Sequence, residues 1–481
     1  MIALIVGVTT FVVDFVVRVL AVIYVPRNRR PQTALAWLLA IFLVPYVGVI
    51  LFLLAGNWLL PKKRRDKQTT INALIKRTSD SVDLGTENLE LPVWLSRVVQ
   101  LNQSLGALPL VGGNTGFVYD TDAEGLTAMI AAIEEAKVAV HAEFYIMSLD
   151  DTSAPFFDAL ENAHKRGVVV RVMLDHLGSR SYPGYKPMRA RLDAMGVNWQ
   201  LMLPFKPLRG KIQRPDLRNH RKLLVVDGVV AFTGSRNIID PGYQKKKNLK
   251  RRLRWHDFMV RFEGPVVAEM EAVFVGDWYS ETDELLADLD LTDIEFTGTL
   301  ACQVVPSGPG FEGENNLRLF NALVYSAQKN IVITSPYFVP DDSMLYAITT
   351  AAQSGIAVEL IVSEIGDQFL VYHAQRSYYE ALLKAGVRIW LYEEPTVLHS
   401  KHFTIDEELS VFGSSNMDMR SFTLDLEITV IVRGESFLHQ LQETQQRYRS
   451  HSRELTMEEW SKRGFWHRLA DDVARLTASL Q

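Results

Sequence analysis

The chain has 481 residues, 48% apolar and 22% charged, with 51 basic against 56 acidic side chains and a formal charge of −5. That length points to two or three domains, and without a basic excess there is no sign of a general nucleic-acid binder. A lone cysteine, Cys302, excludes an intramolecular disulfide framework and cysteine-built zinc sites.

Met1 to Val25 reads as a first apolar helix carrying Asp14 and Arg18, which stand four apart on one face and can pair. It lacks the basic start and small-residue cleavage site of a secretion signal. "ALAWLLAIFLVPYVGVILFLL", Ala34 to Leu54, holds 21 residues without a charge. It predicts a second span, about 30 Å long and kinked at Pro45. Joined by "PRNRRPQ", the two predict a multi-pass helical hairpin over residues 1–60. The loop carries Arg27, Arg29 and Arg30, the far flank Lys62, Lys63, Arg64, Arg65 and Lys67, and this three-to-five balance favours a cytoplasmic body. Residues 61–110 begin as a hydrophilic linker whose basic start is attracted to anionic headgroups.

Strands and helices alternate from about residue 115. "VAVHAEFYI" (138–146), "APFFDALENAHKRG" (154–167) and "VVVRVMLD" (168–175) read as strand, helix and strand. "NIVITSPYFV" (330–339), "SMLYAITTAAQSG" (343–355) and "IAVELIVS" (356–363) run the same course. This is a repeat of a whole α/β unit, with halves expected at 111–290 and 291–481. Each half predicts a mostly parallel sheet flanked by helices, the two related by pseudo-two-fold symmetry.

Each half carries His-x-Lys-x4-Asp-x6-Gly-Ser-x-Asn: His220, Lys222, Asp227, Ser235 and Asn237, then His399, Lys401, Asp406, Ser414 and Asn416, 179 residues on. One such pattern alone means little; two complete copies inside a duplicated fold mean a site. In an extended segment the histidine and lysine project to one face. Lysine supplies charge for phosphate oxygens, and serine and asparagine can donate to them. Histidine can attack phosphorus when neutral and deliver a proton when charged. Asp227 and Asp406 can orient an imidazole or hold the turn after the strand. Asp257 and Glu427, each seven residues before a glycine, are candidates to orient the histidines from a neighbouring strand. No ligand set for a metal completes the pattern.

The double motif is that of the phospholipase D superfamily. Together with the N-terminal apolar segments, "AEFYI", "FTGSRNI" and "SPYFVPDD", the chain resembles bacterial cardiolipin synthases of this type over nearly its full length. The resemblance implies an enzyme of the bacterial inner membrane. It would transfer a phosphatidyl group from one phosphatidylglycerol to another, through a phosphohistidine and without a cofactor. It assigns His220 as nucleophile and His399 as acid and base, and the near-symmetry of the copies leaves the reverse open. Hydrolysis to phosphatidic acid, a membrane-bound phosphodiesterase or nuclease, and a lipid-binding scaffold are the rival readings.

Three further features follow. "QKKKNLKRRLRW" (244–255), with seven basic residues in ten positions, is expected to meet anionic lipid. The tail "GFWHRLADDVARLTASL" has Phe465, Trp466, Leu469, Val473, Leu476 and Leu480 at helical spacing; lying on the membrane and packing on the body are the two readings, and packing on the body is the one expected. Tyr145, Tyr337 and Phe338 are expected in the core or in pocket walls.

Overall fold

The N-terminal apolar sequence forms three helices, α1 (Ile2–Tyr24), α2 (Pro31–Leu43) and α3 (Pro45–Ala55). The computed structural model describes residues 2–27, 29, 31–56, 64–71, 85–86, 89–206, 211–212, 214–286 and 295–478. It divides into two compact units, Met1–Leu59 with Arg214–Asp216, and the remainder.

Among the described residues of the first unit, only α1 is long and apolar enough to cross a bilayer. Arg18 and Asp14 pair on it at 2.8 Å, as expected from their spacing. The segment anticipated as a second span is not one continuous helix, because the chain breaks at Val44 (φ −135°) and restarts at Pro45. Proline has no N–H to donate and disfavours helical backbone in the residue before it. The helices α2 and α3 then fold back on each other. A Cβ on Gly48 would lie 2.7 Å from the Ala40 carbonyl oxygen, so only glycine admits this approach. The Trp37 and Phe52 rings meet at 5.6 Å. Arg29 fastens the ends, its guanidinium donating to the Gly56 carbonyl at 2.9 Å and to that of Val25 at 2.7 Å. One cation thus satisfies carbonyls left open at two helix ends. At 13 residues, α2 reaches only about 20 Å, too short to span.

The second unit is built on one 15-stranded sheet. Its strands in chain order are β1 (Leu110–Tyr119), β2 (Ala139–Phe144), β3 (Val169–Asp175), β4 (Asn198–Met202), β5 (Lys222–Val226), β6 (Val230–Gly234), β7 (Met259–Glu263) and β8 (Leu300–Ser307). The remainder are β9 (Asn330–Thr334), β10 (Ala357–Ser363), β11 (Arg388–Tyr392), β12 (His402–Ile405), β13 (Leu409–Gly413), β14 (Glu427–Arg433) and β15 (Ser452–Leu455). Across the sheet the order is β15-β11-β10-β9-β12-β13-β14-β8-β1-β7-β6-β5-β2-β3-β4.

The repeat is plain in that order, each half contributing a parallel trio, β2-β3-β4 or β9-β10-β11, and an antiparallel hairpin, β5-β6 or β12-β13. Parallel pairing stops at these trios, where helices supply the crossovers; the sequence alternation had pointed to mostly parallel halves. Tight turns after Val226 and Ile405 make β5-β6 and β12-β13 antiparallel. Both faces are covered, and the core divides between clusters around Phe156 and Leu224, Phe262 and Val430, and Phe403 and Leu360. The expected boundary between halves, 290/291, lies outside the described residues.

The stretch expected as a linker is partly ordered. Residues 64–71 are helical, and Lys67 donates to the carbonyls of Tyr279 and Ser280 at 2.8 and 2.9 Å. Arg64 pairs with Glu281 at 2.6 Å. Their charge is spent on the C-terminus of helix Val266–Thr282, where a cation is favoured, so Lys67 and Arg64 do not serve as the free headgroup contacts the composition suggested. Lys62 and Lys63 lie outside the described residues.

Candidate active site

His220 stands two residues ahead of β5 and His399 three ahead of β12, and in each case the chain crosses to the other half to reach its place. The His220 N–H donates to the Leu426 carbonyl at 2.9 Å, and the His399 N–H to that of His256 at 2.8 Å. A short parallel pair, Arg254–His256 with Thr396–Leu398, carries the second crossing.

The side chains repeat the exchange. Asp257, from the first half, lies 2.6 Å from His399 Nδ1 in the second. Glu427, from the second half, has its two oxygens 3.0 and 3.1 Å from His220 Nδ1 in the first. The Ser414 carbonyl is also 3.1 Å from His220 Nδ1. A carbonyl only accepts, so Nδ1 carries the proton and Nε2 its lone pair. Among the described residues neither Nε2 has a protein hydrogen-bond partner.

The lysines close the arrangement. Lys222 Nζ donates to the His220 carbonyl at 2.5 Å and Lys401 Nζ to the His399 carbonyl at 2.6 Å, and both side chains are buried. Each lysine acts on both imidazoles. Burial, then Lys222 and Lys401, push His220 well below the usual histidine range. Burial and Lys401 lower His399 to about 4 against the pull of Asp257, with Lys222 adding to the depression. Burial and the neighbouring Lys222 bring Lys401 down to about 7, while burial lowers Lys222 to about 8 against Glu427. The carboxylates diverge. Burial lifts Glu427 to about 7. Burial acts on Asp257 in the same direction, but His399 and Lys401 outweigh it and hold that group well below the usual carboxylate range. Two cations crowded beside two neutral imidazoles leave a site suited to an anion.

Five motif residues are bonded within the protein itself. Asp227 does not reach an imidazole; it accepts from the N–H groups of Lys137, Val138 and Ala139 at 2.8, 2.8 and 2.9 Å. Asp406 takes those of Gln328, Lys329 and Asn330 at 2.7, 2.6 and 3.0 Å. Both adopt left-handed backbone, φ 53° and 55°, in tight turns that aspartate tolerates. They are turn-holding residues, not catalytic ones. Ser235 and Ser414, expected on phosphate, instead donate to Asp257 and Glu427 at 2.6 and 2.5 Å. Asn237 accepts from the Ile146 N–H at 3.0 Å and donates to the Tyr243 hydroxyl at 2.8 Å. Asn416 differs, its Oδ1 being buried without a hydrogen-bond partner.

Sequence reasoning left the tyrosines undecided and passed over Ser421. Tyr145 packs edge-on to His220 at 4.8 Å and Tyr337 to His399 at 6.4 Å, so both wall the site, whereas Phe338 is core. Ser421 donates to Glu427 at 2.9 Å. Tyr145 directly follows β2 and Tyr337 stands three residues after β9, so each tyrosine lies on the segment leaving the first strand of its trio.

Comparison with known proteins bears on this geometry. The family model described as "Cardiolipin synthase, PLD-like domain" matches residues 129–278 and 321–449, one stretch in each half. A "Phospholipase_D-nuclease N-terminal" model matches residues 16–57. Cardiolipin synthase A of Wigglesworthia glossinidia brevipalpis is 36% identical, covering 92% of this chain and 90% of that one. The chain belongs to the cardiolipin synthase family with phospholipase D-like domains. Cardiolipin synthase A of Proteus mirabilis is 34% identical over 92% of each chain. Among solved structures, a phosphatidylserine synthase from Haemophilus influenzae shares the fold, with a TM-score of 0.58 and 15% identity over 80% of this chain and 99% of that one. Membership of a cardiolipin synthase family and an apolar α1 together associate this chain with membranes.

Proposed function

We propose that the site transfers a phosphatidyl group between two phosphatidylglycerol molecules, giving cardiolipin and glycerol. The observation that carries this is the crossed pair of imidazoles, each with Nε2 open and Nδ1 held by a carboxylate of the other half. Neutral His220 attacks phosphorus through Nε2, and the bond from phosphorus to the glycerol oxygen breaks. His399, protonated once the anionic phosphodiester offsets the two lysines, gives its proton to the leaving oxygen. The hydroxyl of a second phosphatidylglycerol then loses its proton to His399 and attacks phosphorus, and the bond to His220 Nε2 breaks. Lys222 and Lys401 balance the non-bridging oxygens throughout. Asn416 Oδ1, left unpaired, suits a hydroxyl of the incoming lipid.

The partners of the two histidines support His220 as nucleophile. Asp257 is the firm anion, and an anion beside His399 stabilises the imidazolium an acid must become. Glu427, lifted to about 7, does this less for His220. The family relation supports transfer over hydrolysis.

The same reading sets α1 across the bacterial inner membrane once, with α2 and α3 dipping into a single leaflet. Arg27, Arg29 and the basic residues after α3 then share one side, and that excess favours a cytoplasmic body. The exposed basic run near Lys246 meets anionic headgroups there.

Purified protein given phosphatidylglycerol vesicles alone should release cardiolipin and glycerol in equal amounts. Phosphatidic acid as the product would mean hydrolysis, and no product would overturn the reading. Rapid denaturation during turnover should leave label on His220 and none in His220→Ala.

A further inference from the structure

The helices α4 (Lys246–Arg251), α5 (Phe369–Ala385) and α6 (Phe465–Arg475) form a surface the transfer reaction does not use. The amphipathic helix α6 leaves its apolar side uncovered. It meets the body along a narrow side, Asp471 and Ala474, while Arg468, Asp472 and Arg475 stay exposed; Asp471, at 1% exposure, bonds His373 at 2.6 Å and Arg463 at 2.6 Å. Its apolar face is bare, with Trp466 at 75% exposure, Leu476 at 82%, and Phe465, Leu469 and Val473 also exposed. The sequence expectation that these side chains pack on the body is therefore reversed; the helix docks, but by Asp471 and Ala474. Leu480 lies outside the described residues.

The apolar surface extends beyond α6. His373, the partner of Asp471, is in ring contact with Phe369 at 4.4 Å, and both Phe369 and Leu370 are exposed. The loop just before Phe369 holds the basic helix, for Lys247 donates to the Asp367 carbonyl at 3.1 Å and Arg251 to that of Gly366 at 2.9 Å. On α4 itself Leu249 is exposed among Lys246, Lys247 and Lys250. Asp367 also accepts from the Tyr337 hydroxyl at 3.0 Å, and Tyr337 packs on His399. An apolar stripe and a cationic patch thus meet on the rim of the site.

We infer that this surface docks into an anionic lipid leaflet, with α6 lying flat in the headgroup layer and α4 pairing with lipid phosphates. The combination of a tryptophan and phenylalanine stripe with adjacent lysines fits a lipid interface. A protein partner would have to match both the stripe and a dense cationic patch. The docking turns the mouth beside His399 toward the lipid, so a reacting headgroup reaches it while its acyl chains stay in the bilayer. The choice of a lipid partner rests on the proposed function, but the first test below reads insertion without any turnover.

Full-length protein carrying Trp466→Cys or Val473→Cys would be labelled with an environment-sensitive fluorophore; Cys302 is buried and stays unlabelled. Glu134→Cys, an exposed position in the last turn of helix Asp122–Glu135, which leads into the start of β2, serves as control. In vesicles of phosphatidylglycerol and phosphatidylcholine, shallow spin-labelled lipid should quench positions 466 and 473 several-fold more than 134. Equal quenching at all three overturns the inference. Cross-linking of Val473→Cys between copies without lipid quenching would assign the face to a second copy and overturn it too. Val473→Asp with Leu476→Asp should lower turnover on vesicles about tenfold and leave turnover on short-chain lipid in micelles unchanged. An equal loss on both would mean a structural role.

Discussion

Asp257 Oδ1 lies 2.6 Å from His399 Nδ1, although the two residues stand 142 apart and belong to opposite halves. With the reciprocal contact of Glu427 and His220, it makes each half incomplete alone. Asp257→Asn keeps the shape but gives up the anion that supports the imidazolium. Turnover should fall by about 10²–10⁴, with little change in KM, in steady-state kinetics on phosphatidylglycerol. An unchanged kcat would remove Asp257 from the mechanism.

Glu427→Gln should be milder. Burial lifts Glu427 to about 7, so near neutral pH it is already partly protonated, and glutamine can still accept from Nδ1. A loss of about tenfold in kcat is expected. A loss matching that of Asp257→Asn would sink the asymmetry on which the assignment of His220 as nucleophile rests.

The buried lysines give opposite slopes to activity and stability. Lys401 titrates at about 7 in the folded protein against 10.5 for a free lysine. Between those values the unfolded chain binds more protons than the folded one, so stability rises with pH across that window. Phosphate binding loses a cation over the same range, so kcat/KM should fall from about pH 7 upward. Lys401→Met should abolish turnover yet raise Tm at pH 7 by several degrees. Its stability should then vary less between pH 7 and 10 in thermal melts. A Tm that drops instead would contradict the cost assigned to the buried pair.

Asp227→Ala and Asp406→Ala test the turn-holding role. Each removes the acceptor of three N–H groups, and a loss of about 1–3 kcal/mol is expected in denaturant titrations. Turnover per folded molecule should stay within about twofold. A loss of turnover with stability intact would return these residues to the chemistry.

The sequence by itself determined what depends on local spacing. Two identical motifs in matching places settle that the chain is duplicated, that His220 and His399 correspond, and that lysine accompanies each. It also marked Asp257 and Glu427 as orienting candidates through their equal distance from a glycine. Tertiary structure alone decided which carboxylate serves which imidazole, because β8, lying between β14 and β1, joins the halves into one sheet and lets each segment cross over. It also separated the motif's site residues from its braces. An aspartate near a histidine in sequence points elsewhere once the turn takes left-handed backbone and presents its carboxylate to the start of β2 or β9. Spacing equally could not foresee that α2 and α3 fold back at Pro45 and Gly48, or that α6 docks through Asp471 and leaves its apolar side outside. Periodicity reports that a helix has two faces, and only the partners packed against it decide which face turns inward.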